Sequence, residues 1–97
     1  MRPSVEFNKK REAIRELVAR SRLTNPRVFG SVLHGTDKEG SDLDLLVDAR
    51  PGVTLFDLCR LEAELRELLG MEDVHLSTPK ELAPFFREQV LAEARSV

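Results

Sequence analysis

The 97-residue sequence is poor in the residues that carry redox and aromatic chemistry: it has one cysteine, no tryptophan and no tyrosine. The single Cys59 excludes an internal disulfide and a zinc cluster built from cysteines. Because Cys59 stands in a leucine-rich stretch, we expect it to be a buried structural thiol. The absence of tyrosine means that no tyrosine hydroxyl of this chain can serve as an acceptor, so any tyrosine chemistry needs a second protein.

Long apolar runs and a basic excess are also missing. No run approaches about 18 apolar residues, and the first residues, Met1–Glu6, form no apolar signal segment. We therefore expect a cytoplasmic protein without membrane contact. Lys and Arg number 15 against 17 Asp and Glu, a formal net charge of −2, which gives no support for direct nucleic-acid binding. At this length we expect residues 1–97 to form a single domain with one modest core.

Hydrophobic periodicity predicts a small α/β (α+β) domain with the order α-β-β-α-β-α. The leucine stripe between Thr54 and Gly70 is the clearest helix signal. We expect a small mixed β-sheet with helices packed on one face, the other face being open toward a cleft or a partner. Phe85 and Phe86 are expected in the core, with a docking surface as the alternative. The predicted helices span 6–22, 55–69 and 85–94, the predicted strands span 27–29, 43–48 and 74–76, and a polar turn spans 36–40.

Two short motifs carry the chemistry: Gly30-Ser31, read as a turn, and Ser41-Asp42-Leu43-Asp44. On a strand, Asp42 and Asp44 project from the same face because side chains alternate. Two like charges at that spacing repel each other unless a cation lies between them, and Mg²⁺ binds one or two carboxylates together with phosphates and water. Taken singly, an Asp-x-Asp is usually a solvated sheet face and a Gly-Ser a plain turn. Together they indicate a site for Mg²⁺ and a nucleoside triphosphate.

These motifs resemble those of the minimal nucleotidyltransferase (MNT) family of the DNA polymerase beta superfamily, whose hallmark is Gly-Ser, a spacer and Asp-x-Asp. The resemblance covers about residue 10 to the C-terminus. It implies the polymerase-beta-like nucleotidyltransferase fold, with Asp42 and Asp44 as catalytic metal ligands. Gly30, Ser31 and Ser41 are assigned to nucleotide and phosphate binding. In its size and motifs, the chain resembles the antitoxins of HEPN/MNT toxin–antitoxin pairs. This resemblance implies Mg²⁺-dependent transfer of AMP from ATP to a hydroxyl of a HEPN-type partner, and we expect that hydroxyl to belong to a tyrosine.

The sequence departs from the family pattern at two histidines. His75 stands on the last predicted strand where members with a third carboxylate carry Asp, and we include it among the catalytic candidates because a neutral imidazole can serve as general base. His75 could equally mark a weakened site or be structural. His34 precedes Gly35, at a position where the family often carries a basic residue. Two roles are open for His34: a contact to a phosphate, or a solvated loop side chain without a function. Two alternative functions follow: an antitoxin that neutralises its partner by binding alone, and an aminoglycoside-type nucleotidyltransferase that works with a helical partner subunit.

Overall fold

The structure, a computed structural model, describes residues 2–97, and its strands form one four-stranded sheet of order β3-β2-β1-β4. β1 runs antiparallel to β2 and to β4, whereas β2 and β3 are parallel. The predicted mixed sheet is thereby confirmed. The helices are α1 (Pro3–Lys9), α2 (Arg11–Ala19), α3 (Gly30–His34), α4 (Leu55–Leu69) and α5 (Pro84–Glu93), a 3₁₀ turn spans Pro79–Glu81, and the strands are β1 (Leu23–Phe29), β2 (Leu43–Ala49), β3 (Val74–Ser77) and β4 (Arg95–Ser96).

The main core lies between one face of the sheet and the helices α2 and α4. Every second residue of β2 points into it, as the alternation of a strand requires, and α4 contributes the predicted leucine stripe. α4 begins at a capping box in which Thr54 and Asp57 satisfy each other's backbone N–H groups. The buried core side chains include Ile14, Val18, Val28, Leu43, Leu45, Val47, Leu58, Leu61, Leu65 and Leu69.

The opposite face of the sheet carries Asp44 and is partly covered. Leu46 shares that face by alternation and is fully buried, yet it lies outside the main core cluster. The 3₁₀ turn contacts β2, and Leu82, which directly follows this turn, is also buried. The turn therefore covers the middle of the second face, and Asp44 lies nearer the start of β2.

The outer edge of β3 is closed by two side chains of α4. The Glu62 carboxylate accepts the Leu76 N–H at 2.8 Å. Arg66 donates to the Val74 carbonyl at 3.2 Å, and the two side chains pair with each other at 2.7 Å. Backbone groups that would otherwise face solvent at the sheet edge are thus hydrogen-bonded within the chain.

Two predicted elements differ from the structure, and one strand was not predicted. The helix expected over 6–22 is interrupted at Lys10, whose ammonium donates to the Leu68 carbonyl of α4 at 2.9 Å. β1 begins at Leu23 rather than 27. Asn25-Pro26 was predicted to end the first helix, but it lies within β1, at an irregularity of the β1–β2 register. β4 was not predicted, since two residues carry no periodicity.

Two burial predictions were wrong. Cys59 is exposed on α4, because it lies off the stripe formed by Leu58 and Leu61. Phe85 is 88% exposed and was expected in the core. Its ring makes an edge-to-face contact with the half-buried Phe86, with centroids 4.9 Å apart. The docking alternative for this pair stays a prediction.

None of the helices within residues 2–97 combines the length and the apolar character that crossing a membrane requires.

Candidate active site

The two predicted carboxylates lie at the start of β2. Asp44 is the second residue of the strand, whereas Asp42 directly precedes it, so the expectation that both lie on the strand is corrected for Asp42. The entry to β2 is fixed by the Leu43 N–H, which donates to the Asp73 carbonyl at 2.8 Å. The Asp42 side chain is exposed, with 53% of its surface accessible, whereas Asp44 is partly buried. The structure therefore brings both carboxylates to one end of the sheet, with different access to solvent.

Gly30 lies directly against Asp44. Phe29, the last residue of β1, pairs with Asp44 across the sheet, and the chain then turns at Gly30 with φ +74°, a left-handed conformation that favours glycine. A Cβ at this position would lie 2.4 Å from Oδ2 of Asp44. Gly30 and Ser31 form the first turn of α3, not the simple turn that was predicted. Only a residue without a side chain permits this approach of the backbone to the carboxylate.

His75 is the third group of the site. It is the register partner of Asp44 across the parallel β2–β3 pair, and its Nε2 lies 3.4 Å from Oδ2 of Asp42. The imidazole is about half exposed. The structure thus places His75 beside the carboxylates, as predicted from its position on the last predicted strand, while its catalytic role stays a prediction.

The surroundings of Asp44 disfavour its charged form. Burial raises the pKa of Asp44, and the negative charge of Asp42 raises it further, against the opposing effect of His75. Within residues 2–97, no three His, Cys, Asp or Glu side chains gather into a metal site of their own. Two oxygen donors that need further ligands fit Mg²⁺, which usually keeps waters and takes phosphate oxygens.

The spacer between the two motifs is anchored by the buried carboxylate of Asp37, which was not among the predicted site residues. The Asp37 side chain is fully buried, accepts the Ser4 N–H at 2.9 Å and pairs with Arg2 at 3.3 Å. Burial acts to raise the pKa of Asp37, but the hydrogen bonds from Ser4 and Arg2 outweigh it and hold the pKa below its usual value. Asp37 was predicted to belong to a polar turn, because nothing nearby in the sequence reveals a partner 33 residues away.

The remaining candidates lie at the margins of the site. The hydroxyl of Ser41 accepts the Lys38 N–H at 2.8 Å and so closes the spacer loop; its assignment to phosphate binding stays a prediction, as does that of Ser31. His34 ends α3 and contacts Glu93 of α5 at 3.2 Å, so it is not brought to the carboxylates by any contact described in the structure.

A mixed sheet with Gly-Ser packed against an Asp-x-Asp pair defines a class of enzyme. Residues 12–97 match the family described as Polymerase beta, Nucleotidyltransferase, and the chain belongs to this family. It is therefore a nucleotidyltransferase with the predicted polymerase-beta-like fold.

The chain is also similar to individual proteins and solved structures. A protein of Methanocaldococcus jannaschii named "Putative protein adenylyltransferase MJ0435" is 41% identical over 70 residues, which cover 72% of this chain and 74% of the relative. A solved "putative minimal nucleotidyltransferase" superposes with a TM-score of 0.85 at 45% identity, over 97% of this chain and 95% of the other. A complex of a tri-AMPylated Shewanella oneidensis HEPN toxin with its MNT antitoxin matches in fold, with a TM-score of 0.61, 21% identity and coverage of 95% and 68%.

Proposed function

We propose that this chain transfers AMP from ATP to a tyrosine hydroxyl of a HEPN-type partner protein and thereby acts as its antitoxin. The observation that carries the proposal is the Asp42–Asp44 pair with the backbone of Gly30 pressed against Asp44. The M. jannaschii relative is named for protein adenylylation. The fold is shared with an MNT antitoxin whose HEPN toxin is AMPylated.

Mg²⁺ held by Asp42 and Asp44 would neutralise the triphosphate charge and stabilise the departing pyrophosphate. The protein's own contribution is to position the groups. The carboxylates fix the binding position at the start of β2, and the left-handed Gly30 keeps the space beside Asp44 free of a side chain. Ser31 adds a hydroxyl for a phosphate oxygen, in keeping with its predicted role.

The transfer forms one bond and breaks one. The acceptor oxygen attacks the α-phosphorus, and the bond between that phosphorus and the pyrophosphate oxygen breaks. The acceptor's proton must leave, and we assign the imidazole of His75, whose Nε2 lies 3.4 Å from Oδ2 of Asp42, as the base that takes it. The acceptor comes from another protein, because this chain contains no tyrosine.

The proposal is tested by incubating the chain with α-labelled ATP, Mg²⁺ and a HEPN-type protein from the same genome. We expect label on the partner. The labelling rate should fall by about 100-fold or more in Asp42→Ala and in Asp44→Ala, because each substitution removes a carboxylate that neutralises charge and positions the reacting groups. Asp73→Ala is the matched control, an exposed carboxylate one residue before β3, and should label normally. An unlabelled partner, or full labelling by Asp44→Ala, contradicts the proposal.

A second function, neutralisation by binding alone, is favoured by the exposed histidine in place of a third carboxylate. The double variant Asp42→Asn/Asp44→Asn distinguishes the two functions. If the variant still binds and silences the partner, neutralisation occurs by binding. If it binds and the partner stays active, AMP transfer is required.

A further inference from the structure

A groove lies at the end of the sheet opposite the carboxylates. It encloses about 620 Å³ between the β2–α4 loop and the segment that follows β3. We call it the Leu55 groove; its apolar lining includes Pro51, Val53, Leu55, Leu58 and Pro79.

The Leu55 groove is separate from the nucleotide site. Asp44 lies near the start of β2, whereas the groove begins at Ala49, the last residue of that strand. Five strand residues span about 17 Å at about 3.3 Å each. The carboxylates and the groove therefore lie near opposite ends of β2.

The charges around the groove are unbalanced. Arg50 and Lys80 line it, are exposed, and have no acidic partner within residues 2–97. Of the acids nearby, Asp57 caps α4 and pairs with Arg22 at 3.5 Å, and Glu81, which also lines the groove, accepts the Thr78 N–H at 3.0 Å. Two cations against this one carboxylate leave the lining with an excess of one positive charge (2 − 1). In a chain of net charge −2, the groove is thus a local positive site with an apolar floor.

Exposed apolar side chains also lie at the start of α4, where Leu55 lines the groove. Leu55 is 65% exposed and the adjacent Phe56 is 78% exposed at the start of α4. Contiguous exposed apolar side chains bordered by charge are typical of protein–protein contact sites.

We propose that the Leu55 groove binds an acidic segment of a partner protein, which inserts an aliphatic or aromatic side chain between Leu55 and Pro79 and places carboxylates against Arg50 and Lys80. Apolar burial supplies most of the affinity, and the two cations supply selectivity for negative charge. The proposal does not depend on which protein accepts AMP.

The test is an unbiased peptide selection on the intact chain. A phage library of random 12-residue peptides is selected on immobilised protein and counter-selected on Arg50→Glu/Lys80→Glu. We expect enriched peptides to combine Asp or Glu with Leu, Ile or Phe. A synthetic enriched peptide should bind the double variant about tenfold or more weakly, as expected for losing two charge pairs and adding repulsion. Leu55→Ser should weaken binding while keeping the salt dependence.

The control is Arg20→Glu/Arg95→Glu, which makes the same charge change at two exposed arginines that line other parts of the surface. This variant should bind like the unmodified chain. Enrichment of basic peptides, absence of enrichment, or equal weakening by both double variants would overturn the proposal. A dimer in sedimentation velocity that Leu55→Ser dissociates would assign the groove to a second copy of the chain and would also overturn it.

Discussion

The contact between Gly30 and Asp44 yields the sharpest prediction. In Gly30→Ala, the new Cβ would lie 2.4 Å from Oδ2 of Asp44, whereas ordinary contact begins near 3.4 Å. The carboxylate must retreat by about 1 Å, the difference of those two distances. Since a misplacement of that size can cost on the order of 100-fold in rate, we expect labelling of the partner to fall by about that factor. Mg²⁺-dependent binding of a non-hydrolysable ATP analogue, measured by calorimetry, should weaken with it.

Gly35→Ala is the matched control for this prediction. Gly35 has nearly the same backbone conformation, φ +71°, but a Cβ there meets nothing within 4 Å. Both variants should lose about 1–2 kcal/mol of unfolding free energy through left-handed strain. Only Gly30→Ala should also lose nucleotide binding.

A double-mutant cycle isolates the contact itself. Asp44→Ala removes the carboxylate that the new methyl group meets, so the unfolding cost of Gly30→Ala should shrink in the Asp44→Ala background. We expect a coupling of about 0.5–2 kcal/mol, within the range for contacting residues. Equal nucleotide binding by Gly30→Ala and Gly35→Ala, or strict additivity with Asp44→Ala, would refute the reasoning.

Two further predictions concern stability. The pKa of Asp37 lies below its usual value of 3.8. The contribution of the Asp37 carboxylate to the free energy of unfolding is therefore complete above pH 3.8 and is lost as the pH falls below that value. Asp37→Asn should lower the free energy of unfolding by about 2–3 kcal/mol at pH 7. Measured by urea denaturation, the difference in unfolding free energy between the variant and the unmodified chain should become smaller below about pH 4. A difference that does not change with pH contradicts this prediction. Thr54→Ala removes the capping oxygen of α4 and should cost about 1 kcal/mol, lowering Tm by about 4–8 °C, while Thr54→Ser stays near the unmodified value; equal Tm values for all three chains would argue against a capping role.

Local patterns predicted the elements whose residues interact with near neighbours. The leucine stripe of α4, the Thr54 cap and the apolar alternation of β2 are all visible in the sequence, and the helix predicted over 85–94 differs from α5 by one residue at each end. The two motifs of the site were readable for the same reason, since Gly30 and Asp44 are separated by a short spacer.

Features that depend on distant residues could not be predicted in this way. Asp37 is buried because α1 supplies the Ser4 N–H, and β4 exists because β1 offers it an edge. Asn25-Pro26 signals a chain break in isolation, yet the paired strand β2 accommodates it as a bulge. The exposure of Phe85 likewise depends on where α5 crosses the fold, not on its own sequence.

The sealed edge of β3 limits how this protein can assemble. Because Glu62 and Arg66 bind the Leu76 N–H and the Val74 carbonyl at the outer edge of β3, an incoming strand could pair with these two groups only by displacing both side chains. The opposite edge offers only the two residues of β4, too short a template for stable strand addition. Strand addition at these two edges is therefore disfavoured, and the chain is protected there from the edge-to-edge aggregation that threatens small exposed sheets.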